Sequence, residues 1–94
     1  FQIEGNSMDP VIKHSDIVVC KSVENLNDIR DNEIYAVRSN GNVWVKYVQK
    51  IFNNRGRITR LKMISANYFD NDPFEEEVNE TTRLYKVVRK ISNV

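Results

Sequence analysis

The sequence is poor in several residue types, and each shortage excludes a class of structure or chemistry. It has one cysteine, Cys20, and one histidine, His14, so it has neither an internal disulfide nor the ligands of a zinc site. No apolar run approaches the roughly 20 residues that cross a bilayer, and no segment resembles a signal peptide. The formal net charge of +1 gives no reason to expect nucleic-acid or membrane binding. We therefore expect a cytoplasmic protein that uses no metal, cofactor or membrane partner.

The length and overall composition are those of one small folded domain. The chain has 94 residues, of which 40% are hydrophobic and 29% are charged, as is ordinary for a soluble globular protein. It opens on Phe1 without an initiator methionine. We expect residues 1–94 to be one domain, the C-terminal part of a longer protein.

A β-hairpin is the clearest structural signal. Asn40-Gly41 lies between two β-rich runs, and this dipeptide favours a type I′ turn because both central residues of that turn need positive φ. Counting outward from the turn gives the cross-strand pairs Ser39–Asn42, Val37–Trp44 and Tyr35–Lys46. The period of two along the second strand places Trp44, Lys46 and Val48 on one face.

The rest of the chain alternates short β-rich runs with polar connections. The runs predict strands at residues 1–4, 16–21, 57–65 and 84–91. Connections are predicted at residues 8–15, 22–32 and 66–80, of which the last is acidic and contains Pro73. No long helix or internal repeat is present, so the predicted fold is mostly β with little helix.

The segment from Gly5 to Pro10, Gly-Asn-Ser-Met-Asp-Pro, predicts a tight loop that displays a serine. Gly5 permits a turn that a side chain would block, and Pro10 restricts both its own backbone and that of the preceding residue. Ser7 lies in the middle of this loop. A serine hydroxyl is a weak nucleophile and needs an adjacent base.

Lys46 is the candidate base. A lysine with an ordinary pKa is protonated at neutral pH, but burial lowers the pKa because desolvation disfavours the charged form. The predicted neighbours Trp44, Val48 and Tyr35 provide an apolar setting, and a Ser-Lys pair is an established combination of nucleophile and base. The alternative is that Lys46 is one of 14 basic residues on a solvated strand face.

Four segments of the sequence together resemble the LexA-type serine peptidase domain, which forms the C-terminal half of LexA and of phage CI-like repressors. They are Phe-x-Ile-x-Gly-Asn-Ser-Met-Asp-Pro at 1–10, Asp-Ile-Val-Val at 16–19, Asp-Asn-Glu-Ile-Tyr-Ala-Val at 31–37 and Gly-x-Val-x-Val-Lys at 41–46. Ile-Ser-Ala-Asn at 64–67 is similar to the family's short Ser-x-Asn segment. The resemblance extends from residue 1 to residue 94.

The resemblance implies a fold and an active site. The fold is a compact LexA C-terminal-like arrangement of twisted antiparallel sheets and hairpins. The implied catalytic residues are Ser7 and Lys46, with backbone N–H groups near Ser7 and Met8 holding the oxyanion. Met8, Asn6 and Tyr35 are the residues expected to line the site.

The resemblance also implies a biological role, with two departures from the family. Such domains cut their own upstream linker, which inactivates a DNA-binding repressor in the phage or SOS response when a RecA filament stabilises the cleavable conformation. They form homodimers and reach DNA through an N-terminal helix-turn-helix head. Here Asn6 replaces the usual Asp before the serine, and the Ala-Gly or Cys-Gly dipeptide at which the family commonly cuts is absent.

Two other interpretations stay open beside this one. The same fold can serve only as a dimerisation and regulatory module of a helix-turn-helix regulator, with an unused dyad. A relative of the signal peptidases is disfavoured because no membrane anchor or large apolar surface segment is present. Cys20 is interpreted as a small core residue, a Cys-His nucleophile pair with His14 lacks a supporting motif, and direct DNA contact by this segment is disfavoured.

Overall fold

Six strands, all paired antiparallel, form one sheet in the computed structural model, which describes residues 1–92. The strands are β1 (Ile17–Val23), β2 (Glu33–Ser39), β3 (Asn42–Phe52), β4 (Ile58–Ile64), β5 (Phe74–Glu77) and β6 (Arg83–Ile91). Their order across the sheet is β1-β6-β2-β3-β4-β5, and a short 3-10 helix (Leu26–Asp28) lies between β1 and β2. The predicted mostly-β fold with little helix is confirmed.

The hairpin of β2 and β3 has the predicted turn and register. Asn40 and Gly41 have φ angles of 51° and 82°, as a type I′ turn requires. The cross-strand pairs Ser39–Asn42, Val37–Trp44 and Tyr35–Lys46 all form as predicted. Because a one-residue slip would turn every side chain to the opposite face, this register fixes which side of the sheet carries Lys46.

Within residues 1–92, most of the buried apolar side chains fall into two clusters. The larger one contains Ile29, Tyr35, Val37, Val48, Leu61, Met63 and Leu84. The smaller one contains Met8, Ile12 and Val18, against which Ile34, Val45 and Tyr47 pack. Alternate residues of β3 therefore pack into different clusters. The loop that contains Ser7 is held to the sheet by the smaller cluster, through Met8.

The prediction of a connection over residues 66–80 is wrong at Phe74–Glu77, because these residues form strand β5 on the edge of the sheet. Because Glu residues are depleted in strands, the three successive glutamates of this segment did not indicate a strand. Arg60 of β4 bonds two of them, at 3.1 Å to Glu75 and 3.6 Å to Glu77. The ring of Phe74 packs on that of Trp44, with centroids 5.5 Å apart.

Two further expectations need correction. The strand expected at residues 1–4 is reduced to a single bridge between Gln2 and Ile17, since only a few backbone bonds tie this segment to the chain near β1. The polar connection expected at 22–32 is partly structured, because β1 continues to Val23. That connection also carries Ile29, which is 1% exposed and belongs to the larger core cluster.

Candidate functional site

The loop that carries Ser7 is a tight turn held by backbone hydrogen bonds. Gly5 has a φ of 84°, a left-handed conformation that a side chain would disfavour, as the sequence predicted. Its N–H donates to Nδ1 of His14 at 3.0 Å. The N–H of Asp9 donates to the carbonyl oxygen of Asn6 at 3.1 Å, which closes the turn around Ser7.

Lys46 is buried, so for this residue the interpretation as part of a solvated strand face is wrong. It is 7% exposed, and burial lowers the pKa of its amine. The amine donates a hydrogen bond of 2.7 Å to the hydroxyl of Ser65, which is itself 4% exposed. A lysine in this setting has a larger neutral fraction near physiological pH than an ordinary surface lysine has.

A pocket of about 450 Å³ brings three of the predicted site residues together. Ser7, Met8 and Lys46 all line it, and the rest of its wall comes from residues 1–4 and 43–45. Within residues 1–92, the hydrogen bond of the Lys46 amine goes to Ser65 and not to Ser7. The candidate nucleophile and the candidate base therefore line one cavity, while the base is hydrogen-bonded to a different serine.

Asn6 and Tyr35, which the resemblance also assigns to the site, are not among the residues that line this pocket. Tyr35 is 1% exposed in the larger core cluster, and its hydroxyl accepts a hydrogen bond from the N–H of Arg30 at 2.9 Å. Asn6 is exposed, and its carbonyl oxygen accepts from the side-chain amide of Asn67 at 3.3 Å. Tyr35 is thus next to Lys46 in the sheet register without reaching the cavity.

The segment 65–67, which follows β4, touches both candidate catalytic residues. Besides the bond from Lys46 to Ser65, the N–H of Asn67 donates to the carbonyl oxygen of Ser7 at 2.9 Å. The N–H of Ala66 lies 3.4 Å from the sulfur of Met8, as a weak hydrogen bond. The sequence motif indicated this segment but gave Ser65 no role, because its contact with Lys46 depends on the pairing of β3 with β4.

Cys20 and His14 do not form a nucleophile pair. Cys20 is half-buried against the smaller core cluster, and burial raises the pKa of its thiol, which agrees with its interpretation as a core residue. His14 accepts the hydrogen bond from Gly5 through Nδ1. Among residues 1–92, no three His, Cys, Asp or Glu side chains are grouped so that they could hold a metal ion. No helix in this described part is long and apolar enough to cross a membrane.

Comparison with known proteins gives one match. The sequence model of a family described as Peptidase S24-like matches residues 1–84, which is most of the chain. No curated protein and no solved structure gives a significant match. The matched range contains the serine loop, the buried lysine and the segment 65–67.

Proposed function

Because the chain belongs to the Peptidase S24-like family, we propose that it is a serine peptidase with Ser7 as nucleophile and Lys46 as general base. Membership of this family confirms the resemblance to the LexA-type serine peptidase domain. The observation that carries the proposal is the shared pocket, which is lined both by Ser7 and by a buried lysine with a lowered pKa. Perturbed lysines in a cavity beside a hydroxyl are typical of active sites.

The chemistry starts from the neutral amine of Lys46. Its lone pair takes the proton of the Ser7 hydroxyl while the Ser7 oxygen attacks the carbonyl carbon of a peptide bond. The resulting lysinium then gives that proton to the leaving amine, the C–N bond breaks, and an acyl ester on Ser7 remains. Water activated by the same amine hydrolyses this ester, which restores both residues.

The backbone of the serine loop supplies donors for the developing oxyanion. Within residues 1–92, the N–H groups of Ser7 and Met8 donate to no other group of the chain, so they are available to a substrate oxygen. Donors that are fixed before the reaction stabilise the charge of the tetrahedral intermediate without reorganisation. Met8 is 2% exposed and anchored in the smaller core cluster, which fixes this part of the loop.

The proposed substrate is a segment of the same longer chain that precedes Phe1. Residues 1–4 already form part of the pocket wall beside Ser7. The backbone nitrogen of Phe1 donates to the carbonyl oxygen of Val18 at 3.1 Å, which places this segment along β1. A linker that enters here is close to the serine loop, as self-cleavage needs.

The proposed context is the C-terminal autoproteolysis and dimerisation domain of a phage-like repressor. In that context a homodimer brings two separate N-terminal heads to DNA, and a RecA filament promotes the cut. The family resemblance supports this context. The alternative is a non-catalytic dimerisation and regulatory module, in which the hydrogen bond from the Lys46 amine to Ser65 holds the amine away from Ser7.

Incubation of the full-length protein over a range of alkaline pH distinguishes the two functions. The peptidase cuts itself upstream of Phe1 faster as the pH rises, because more of Lys46 is neutral, and Ser7→Ala or Lys46→Ala abolishes the cut. The matched controls are Ser22→Ala and Lys21→Ala, which change exposed residues of β1. A folded protein that stays intact at every pH, alone and with an activated RecA filament, would support the non-catalytic module.

A further inference from the structure

We propose that Ser65 is a positioning residue, whose hydroxyl fixes the side chain of Lys46 in the orientation that serves Ser7. The inference rests on the proposed function for the reaction that this orientation serves. The contact itself is a hydrogen bond of 2.7 Å between two side chains that are 7% and 4% exposed. Ser65 is therefore buried at the end of a strand, and its hydroxyl contacts the amine of the candidate base.

The sheet register sets this contact. Val48 pairs with Met63 and Tyr47 pairs with Ile64, so Lys46 and Ser65 are the next residues to face each other across β3 and β4. Residues directly opposite each other on antiparallel strands point to the same face of the sheet. The pairing of β3 with β4 therefore places the Ser65 hydroxyl next to the Lys46 amine.

The hydrogen bond restricts where the reactive electron pair of the amine can point. A neutral amine has two hydrogens and one lone pair, and rotation about the terminal C–N bond normally lets that lone pair point in any of several directions. Donation of one hydrogen to Ser65 excludes the lone pair from that direction and leaves it the two remaining staggered positions. Ser7 and Lys46 line the same pocket, so in this proposal the lone pair, excluded from the Ser65 side, is directed to Ser7.

None of the charged groups near Lys46 within residues 1–92 replaces Ser65 as the hydrogen-bond partner of its amine. Along the sheet, Lys46 faces Tyr35, which in turn faces Lys86 of β6, and the amine of Lys86 pairs with Glu33 of β2 at 3.2 Å. Glu4 lines the pocket from the N-terminal segment. Within residues 1–92 none of these groups hydrogen-bonds to the Lys46 amine, and the acceptor is the Ser65 hydroxyl.

The same segment also fixes the nucleophile. The backbone of Asn67 holds the carbonyl oxygen of Ser7 at 2.9 Å, two residues beyond the serine that holds Lys46. Segment 65–67 thus sets the position of the base through a side chain and that of the serine loop through the backbone. A displacement of this segment changes the geometry of both partners together.

The test measures the pKa of Lys46 directly and separately from cleavage. Full-length protein carrying Ser7→Ala, which leaves the chain intact, is titrated by NMR at the lysine side chain. Ser65→Ala is expected to lower the pKa of Lys46 by about one unit, because the charged amine loses its acceptor. In the Ser7 protein, Ser65→Ala is expected to reduce the maximal rate of self-cleavage by roughly tenfold to a hundredfold and to move its pH profile in the same direction.

Three further variants make the result specific. Ser65→Thr keeps the hydroxyl and is expected to retain the wild-type pKa and most of the rate. Ser65→Cys keeps the approximate size but offers a weak acceptor, so it lowers the pKa as Ser65→Ala does, and it serves if the alanine variant does not fold. Ser39→Ala is the matched control, because Ser39 is fully buried and hydrogen-bonded to Thr82, far along β2 from Lys46.

Two results would overturn the inference. One is an unchanged Lys46 pKa and pH profile in folded Ser65→Ala and Ser65→Cys. The other is an equal shift in Ser39→Ala, which would show a general loss of stability instead of a local effect. If the pKa shifts as expected but the Ser7 protein never cuts itself, the contact between Ser65 and Lys46 is supported and the proposed peptidase function fails.

Discussion

The backbone N–H of Asn67 donates to the carbonyl oxygen of Ser7 at 2.9 Å, across 60 residues of sequence. This bond connects the end of β4 to the serine loop, and the side-chain amide of Asn67 adds a second contact to the carbonyl oxygen of Asn6 at 3.3 Å. Asn67 therefore holds two successive carbonyl oxygens of the loop, in addition to the packing of Met8 in the smaller core cluster. The placement of the loop depends on the fold of β4 as much as on its own sequence.

Asn67→Ala is expected to loosen the serine loop without unfolding the domain. It removes the side-chain contact to Asn6 and another to Asp70, while the backbone bond to Ser7 remains. Since both lost contacts are exposed, we expect a stability loss of at most about 1 kcal/mol and a several-fold slower self-cleavage. Urea unfolding and cleavage rates measure the two effects. Asn54→Ala, in an exposed turn, is the control, and an equal loss of cleavage in it would contradict the role of Asn67.

Lys46→Met is expected to stabilise the protein at neutral pH. Burial lowers the pKa of Lys46 in the folded state, so the unfolded chain binds more protons between the folded and unfolded pKa values. Lys46 therefore opposes folding most at neutral pH, and its cost declines as the pH rises through the folded pKa towards about 10.4. The loss of the buried hydrogen bond to Ser65 offsets part of this effect, so we expect a gain of at most about 1 kcal/mol in the free energy of unfolding at pH 7.

Urea unfolding of the wild type and Lys46→Met at pH 7 and pH 10 measures this difference. The gain should be smaller at the higher pH, because the wild-type amine is then largely neutral in the folded state. Lys21→Met, at an exposed position of β1, is the control and should give no pH-dependent gain. A difference between wild type and Lys46→Met that grows with pH would contradict the direction of the pKa shift.

Phe74→Ala tests strand β5, whose run of three glutamates is not typical of a strand. Phe74 packs on Trp44 and is half-buried, so its loss removes apolar contact from the edge of the larger core cluster. We expect a destabilisation of about 2 to 3 kcal/mol, less than for a fully buried phenylalanine. Phe69→Ala, at a loop position that is 86% exposed, should cost much less, and equal costs in thermal unfolding would contradict the packing of β5.

Gly41→Ala tests the hairpin that sets the register of Lys46. Its φ of 82° is strained for a residue with a side chain, so we expect a loss of about 1 kcal/mol in the free energy of unfolding. Gly41→Asn should cost less, because Asn tolerates the left-handed region. Denaturant unfolding of both variants gives the comparison. Equal stability of the alanine and asparagine variants would show that the turn does not keep the positive φ at residue 41.

The hairpin and the Ser7 loop could be predicted from sequence because each depends on local backbone chemistry. Asn40-Gly41 fixes a turn, the turn fixes a register, and the register gives the neighbours of Lys46. Strand β5 could not be predicted in the same way, since its glutamates pair with Arg60 of a strand distant in sequence. The role of Ser65 also needed the pairing of β3 with β4, whose register no short turn motif specifies.

The hydrogen bond from Gly5 to His14 assigns a tautomer to the imidazole ring. Only a ring with a bare Nδ1 accepts from the N–H of Gly5 at 3.0 Å, so the ring proton resides on Nε2. Nitrogen chemical shifts of the single imidazole thus report, in solution and without any substrate, whether the first turn of this loop is closed.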